Sequence, residues 1–257
     1  MGVGIGLRTG VGGGAQPIGA PVQGVETIVR TAKGTATGVG TLLTKTGVSV
    51  AAGSYLFVVL GFVPNQEIDA DASCVKLNGS AVFTAVEFPG TTQGRLDGVG
   101  ITTVLLLYAY CASAISNGTL TVDFYENGQG SAEAPSCVML TEVAGLASSA
   151  VLDKMACVMS QVASTTPSSG ATAVTAQEHE FVFGIVGTNG PLADAPGTWV
   201  SPLSNGQRLE AVFEDVYAIT ISEGSYIQTA AAAQTAAKTG ITASYWVAGC
   251  ATFKAAA

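Results

Sequence analysis

Charge is scarce in this chain. Only 11% of its 257 residues are Asp, Glu, Lys or Arg, against about 25% in an ordinary globular domain. Helical bundles need Glu, Lys and Arg on their exposed faces, so the scarcity argues against them. Positive charge is scarcer still: 10 Lys and Arg stand against 18 Asp and Glu, a net charge of −8. Nucleic-acid binding relies on cations that neutralise phosphates, and Arg8, Arg30, Lys33 and Lys45 are scattered singly. A genome-binding role is excluded, and no nucleic-acid partner is expected.

Long apolar runs are also missing. Mean hydropathy is +0.45, yet the most apolar stretches, Tyr55–Val63 and Val104–Ala112, are roughly half the ~20 residues of a spanning helix. Both read as buried strands, and no membrane association is expected. The segment Met1-Gly2-Val3-Gly4 has neither a basic region nor a continuous apolar one, so no secretory signal is visible. Cys74, Cys111, Cys137, Cys157 and Cys250 are odd in number and widely spaced, without a C-x-x-C. They are expected to be reduced structural thiols in a protein made in a cytoplasm, with no zinc site.

The chain lacks the parts of most enzymes. His179 is the only histidine, in the polar lead-in Gln177-Glu178-His179-Glu180 to an apolar strand, and no G-x-S-x-G elbow exists. It reads as a solvated strand-edge residue. Asp69 with Asp71, and Glu214 with Asp215, are carboxylate pairs close in sequence, and such pairs arise by coincidence. Asp69-Ala70-Asp71-Ala72-Ser73 starts like a calcium loop, but Cys74 takes the place of the required glycine and no Glu closes it. Gly10–Gly14 lacks the preceding strand and following helix of a phosphate loop. No catalytic residue, metal or cofactor is expected.

What is present is small and β-branched. Ala, Gly, Ser, Thr and Val fill the space left by charge, and 33 Gly suit short strands joined by tight turns. Strands are expected at Glu26–Ala32, Tyr55–Phe62, Cys74–Leu77, Val82–Phe88, Ile101–Tyr110, Thr119–Phe124 and Cys137–Glu142. More follow at Phe181–Val186, Arg208–Phe213, Val216–Ile221 and Ile241–Cys250. Leu120, Val122 and Phe124 alternate with Thr121 and Asp123, the pattern of an antiparallel strand. Asn-Gly pairs at 78, 117, 127, 189 and 205 are expected to be hairpin turns, since this dipeptide accepts the positive φ of type I′. The sequons at Asn78 and Asn117 read as turn chemistry. Ala163–Gly170 reads as a loop or linker, and Thr229–Lys238 as a short helix or surface loop. No internal repeat stands out.

Residues 1–24 form a separate unit. This stretch carries one charge, Arg8, no aromatic residue, and many glycines with Pro17 and Pro21. It cannot build a core, so it is either a disordered tail or an extended arm ordered by a neighbouring subunit. Arg8, Pro17, Ile18 and Pro21 are its candidate partner contacts.

Several segments fall in a familiar order. Ala51–Phe62 (AAGSYLFVVLGF) is an opening core strand and Val75–Thr84 (VKLNGSAVFT) an Asn-Gly hairpin. Leu105–Phe124 (LLLYAYCASAISNGTLTVDF) pairs a Tyr-rich strand with a Gly-Thr-x-Thr-Val strand, and Val138–Leu146 (VMLTEVAGL) follows. Val174–Gly187, Arg208–Ile221 and Ile241–Lys254 close the set. Across roughly residues 45–254 the chain resembles the jelly-roll-like β-sandwich modules of bacteriophage virion proteins and some bacterial surface proteins. It departs from them where a Trp commonly precedes Asn-Gly, a place held here by Lys76-Leu77. The resemblance implies an all-β, antiparallel, jelly-roll-like sandwich over 25–257 behind the 1–24 arm. It also implies a non-enzymatic scaffold located in a virion.

The function expected is that of a capsid decoration or cement protein, held by its arm to other virion subunits and present in many copies or as a homo-oligomer. A tail, baseplate or fibre component is the alternative within that class. The alternative outside it is a carbohydrate-binding module, with Trp199, in the loop-like Pro196-Gly197-Thr198-Trp199, as the exposed sugar contact. Trp246 is expected in the core.

Overall fold

A computed structural model describes residues 28–39, 42–63, 70–97, 102–124, 135–190, 194–213 and 217–256. In the first half of the chain, β1 (Val29–Val39), β9 (Pro135–Ala144), β3 (Ser54–Phe62), β7 (Thr103–Cys111) and β5 (Thr84–Ala85) form one sheet in that order. The short β6 (Leu96–Asp97) also pairs with β7. A smaller sheet follows the order β2 (Leu42–Val50), β8 (Ile115–Asp123), β4 (Val75–Leu77). Every strand pairing is antiparallel, as expected of an all-β sandwich.

The second half repeats this plan. Its large sheet runs β10 (Leu152–Ser164), β17 (Ser244–Phe253), β12 (Phe181–Thr188), β15 (Tyr217–Ile227), β14 (Ser204–Phe213). Its small sheet runs β11 (Ser168–Ala171), β16 (Thr235–Ile241), β13 (Pro196–Trp199). With β5 and β6, which pair with successive parts of β7, counted as one strand, numbering within each half gives the same order in both, and the chain passes back and forth between large and small sheet as in a jelly roll. The division falls between β9 and β10. Ala163–Gly170 is not that division; it is the end of β10, a turn, and the start of β11.

The two jelly rolls pack large sheet to large sheet. β1 and β9 lie on β14, β3 lies on β15, β7 on β12, and β6 on β10 and β17. Each contact has its counterpart with the halves exchanged, so the chain carries an internal pseudo-two-fold relation like the isologous face of a dimer. Two glycines mark it. Gly61 pairs with Val104 in one sheet and Gly187 with Ile221 in the other. A Cβ on Gly61 would sit 2.4 Å from Ile221, and one on Gly187 2.3 Å from Val104. Each sheet therefore needs hydrogen alone at this place for the other to approach. Counting back from these glycines makes Phe57 the equivalent of Phe183, and their rings stack across the interface at 5.5 Å.

This arrangement explains the continuous apolar runs. On β3, Tyr55, Phe57 and Val59 face the second half, while Leu56, Val58, Leu60 and Phe62 face the small sheet. On β12, Phe181, Phe183 and Ile185 face the first half and Val182 and Val186 the other way. A strand covered on both faces loses alternation, because both sets of side chains leave water.

The Asn-Gly expectation holds at one pair and fails at three others. Asn78 and Gly79 have φ of 52° and 78°, and Leu77 and Ser80 exchange backbone bonds of 2.9 and 3.1 Å around them. Asn117-Gly118 lies inside β8, where its register with β2 slips, and Asn205-Gly206 inside β14 at a similar slip. Asn189-Gly190 follows β12 without closing a hairpin, and Asn127-Gly128 lies outside the described residues. Irregular pairing uses the same backbone freedom as a tight turn. Thr229–Lys238 is no helix, and of the two alternatives its first half takes the exposed loop. Its second half is the start of β16, because Ala236 is needed in the core, where its Cβ lies against Gly184.

Candidate functional site

The chemistry concentrates in β15. Taking Ile221 as the equivalent of Val104, the fully buried Leu105-Leu106-Leu107 of the first half corresponds to Ser222-Glu223-Gly224 of the second. Three leucines have become a hydroxyl, a carboxylate and a gap. Alternation sends Glu223 toward the other half and Ser222 and Gly224 toward the small sheet.

Glu223, 1% exposed, is met from the first half by Arg30 of β1 in an ion pair and by Thr141 Oγ1, which donates at 2.9 Å. From its own half it accepts from the Gln207 backbone N–H and from Gln207 Nε2, both at 3.2 Å. Gln207 Nε2 also donates to the Leu140 carbonyl at 2.9 Å. The Asn205-Gly206 irregularity makes room for this. A Cβ on Gly206 would lie 2.7 Å from Arg30 Nη2 and 2.8 Å from Glu223. A buried carboxylate with a guanidinium and several donors is satisfied, and it fixes the two halves relative to one another.

On the opposite face, Gly224 opens a slot filled by Trp199. A Cβ there would be 2.6 Å from the indole, and one on Gly184 would be 3.2 Å from it. Trp199 is 5% exposed, and its Nε1 donates to the Glu223 carbonyl at 3.0 Å. The expected exposed sugar contact is thus a buried residue of β13. The segment has the composition of a loop, but glycines on the facing strands create a cavity that only a large ring fills. Trp246 is buried as expected.

Beside the indole lies Lys238 of β16, 3% exposed, with Nζ 5.5 Å from the ring centroid and donating to Ser222 Oγ at 3.1 Å. Burial, reinforced by nearby Arg208, lowers its pKa to about 8. Arg208 itself is ion-paired with Asp194 and also donates to the Asp194 carbonyl at 3.3 Å. A cavity of about 220 Å³ is lined by Trp199, Gln207, Arg208, Ser222, Glu223 and Lys238 among others. Sequence reasoning missed Lys238 and Ser222. The Leu-to-Ser-Glu-Gly change between equivalent strands was the available signal, and it becomes visible once the repeat is recognised.

The other acidic groups are accounted for locally. Asp71 caps the 3-10 turn Ala72–Cys74 and accepts from Ser73 N at 2.7 Å, while Asp69, Glu214 and Asp215 lie outside the described residues. A carboxyl pair does exist at unexpected residues. Glu180, 0% exposed, lies beside Asp153 and Thr252, and burial raises its pKa. Asp153 stays low despite its own burial because Ala176 N donates to it at 2.6 Å and Lys154 at 3.1 Å. His179, half-buried, precedes Glu180 with φ of 62°. None of the five cysteines is in a disulfide; those at 74, 111, 137 and 250 are buried, and burial pushes the Cys250 thiol up to about 12. Glu142 is ion-paired with Lys33 of β1 and accepts from Ala51 N at 2.8 Å.

The two equivalent outer strands differ sharply. β1 turns Arg30 and Lys33 onto buried acids. β10, which pairs only with β17 among the described strands, carries no charge from Met155 to Ala163 and exposes Val158, Met159 and Val162, the last at 72%. Arg8, Pro17, Ile18 and Pro21 lie outside the described residues. No helix among the described residues is long and apolar enough to cross a membrane. No protein-family model, curated protein or solved structure matches the chain.

Proposed function

We propose that the chain is a non-enzymatic structural protein of a phage particle, a capsid decoration protein held to neighbouring virion subunits by residues 1–24 and by the β10 edge. The observation that carries this reading is β10. A strand of 13 residues at the margin of a sheet, uncharged from Met155 to Ser164 and with exposed Val158, Met159 and Val162, offers main-chain donors and acceptors to another strand. Edges left in this state invite aggregation unless a partner covers them. The equivalent β1 edge, with its two cations, is guarded against that. A tandem pair of jelly rolls locked through one apolar core also suits a rigid spacer between subunits. The carbohydrate-binding reading loses its support with the burial of Trp199.

Particles assembled with the full chain, with a chain lacking residues 1–24, and with Met159→Lys would be purified on gradients and their protein content measured by mass spectrometry. The full chain is expected in stoichiometric amounts, with both variants folded but depleted at least about tenfold, a loss of ~1.4 kcal/mol or more of association energy. Absence of the full chain from particles, or normal incorporation of both variants, overturns the proposal.

A further inference from the structure

The cavity beside Trp199 holds a cation that the fold leaves without an anion. The charges around it can be followed one by one. Glu223 of β15 is taken by Arg30, Thr141 and Gln207 on the side of the first half. Asp194 is taken by Arg208 of β14. That leaves Lys238 of β16, which among the described residues meets one hydroxyl, Ser222 Oγ at 3.1 Å, and the face of an indole. A buried ammonium normally has a carboxylate or several acceptors, because its desolvation costs several kcal/mol when uncompensated. Here two paired acids sit nearby and neither is spent on it. The cavity of about 220 Å³ lies where the first half has solid leucine, so it is specific to the second half and not a property of the shared topology.

We propose that this cavity binds a small oxyanion, the carboxylate, sulfate or phosphate group of a ligand, between Lys238 Nζ, Ser222 Oγ and the Gln207–Arg208 edge of β14. Lys238 supplies the charge, Ser222 turns its hydroxyl proton to the oxyanion, and the indole walls one side from water. The site is independent of the structural role proposed above and survives if that role fails. The oxyanion can come as a free ion or as the acidic group of a sugar, and the two sources differ in what the rest of the cavity contributes.

The test uses the full chain with sodium sulfate as the probe and sodium chloride at matched ionic strength as the control, since screening alone shifts stability. At pH 7, sulfate is expected to raise Tm with the logarithm of its concentration above the dissociation constant, by about 3 °C at ten times that constant. At pH 9.5 the apparent affinity should fall about 30-fold, because a lysine titrating near 8 is then almost wholly neutral and only the charged fraction competes for the ion. Lys238→Met should abolish the sulfate effect. Should that variant not fold, acylation of Lys238 in the unmodified chain, followed by mass spectrometry, gives the second readout, and sulfate is expected to slow it at least fivefold. Glucuronate binding tighter than sulfate would assign the group to a sugar, and equal binding would assign a free oxyanion; both support the site. Identical shifts in sulfate and chloride, or an unchanged acylation rate, overturn it.

Discussion

The two halves of this chain share a topology and divide their chemistry. In the first, the space between large and small sheets is closed by Leu56, Val58, Leu60, Leu105, Leu107 and Phe124. In the second, the same space holds fewer aliphatic side chains and a set of buried polar groups. Gln228 donates to Thr175 Oγ1 at 2.7 Å, Gln234 donates to Gln228 at 2.7 Å, and the Ala236 backbone donates to Ser169 Oγ at 3.0 Å. A dry core of leucine has no vacancy, whereas hydrogen-bonded polar groups keep fixed positions and leave cavities between them. The first half thus closes this space with aliphatic packing, and the second leaves the cavity beside Trp199.

The comparison can be broken most severely at the shared core. Phe57→Ala should cost ~3–5 kcal/mol, because its ring stacks on Phe183 and meets Phe253 edge-on at 4.7 Å. Urea unfolding should remain a single transition. A biphasic curve in which one half survives would show that the jelly rolls are independent units. A smaller effect tests the pseudo-two-fold relation itself. Gly61→Ala and Gly187→Ala should each cost ~1–3 kcal/mol by overpacking, and by similar amounts, because each would collide with the equivalent residue of the other half. A neutral result at one position alone would dissolve the equivalence there.

The smallest effect concerns an acid that only the second half carries at the start of its central strand. Ser54 opens β3, and the equivalent lead-in to β12 is Glu180. A carboxyl raised by burial binds more protons folded than unfolded. It therefore lowers stability as pH climbs from the ordinary glutamate value, about 4.3, through its folded value. Asp153 works with the opposite sign, adding stability above the ordinary aspartate value and losing it as pH falls. Glu180→Gln should raise Tm at pH 7 relative to the parent, the gain vanishing by about pH 4. A gain that persists unchanged at pH 4 would mean that Glu180 titrates normally and that the gain has another source.

The repeat was present in the sequence yet hard to see. Tyr55-Leu56-Phe57-Val58-Val59-Leu60-Gly61 and Phe181-Val182-Phe183-Gly184-Ile185-Val186-Gly187 agree in type at every position except Val58 and Gly184. That mismatch is itself informative, since Gly184 is part of the slot for Trp199. β10 escaped notice because Leu152–Ser164 mixes exposed and half-buried residues without alternation. β13 and β16 escaped because Pro, Gly and Ala dominate them, and intrinsic preference yields to burial when a sheet needs a cover.

All-β character, the buried central strands and the burial of most cysteines followed from composition and local pattern, because strand geometry, turn dihedrals and the burial of apolar surface act over a few residues at a time. The stacking of one jelly roll on the other, the burial of Trp199 and the isolation of Lys238 in a cavity were decided only by tertiary structure. The first is set by residues more than a hundred positions apart, such as Gly61 against Ile221 and Arg30 against Glu223, and the other two by contacts between different strands of the second half, Trp199 against Gly184 and Gly224 and Lys238 against Ser222.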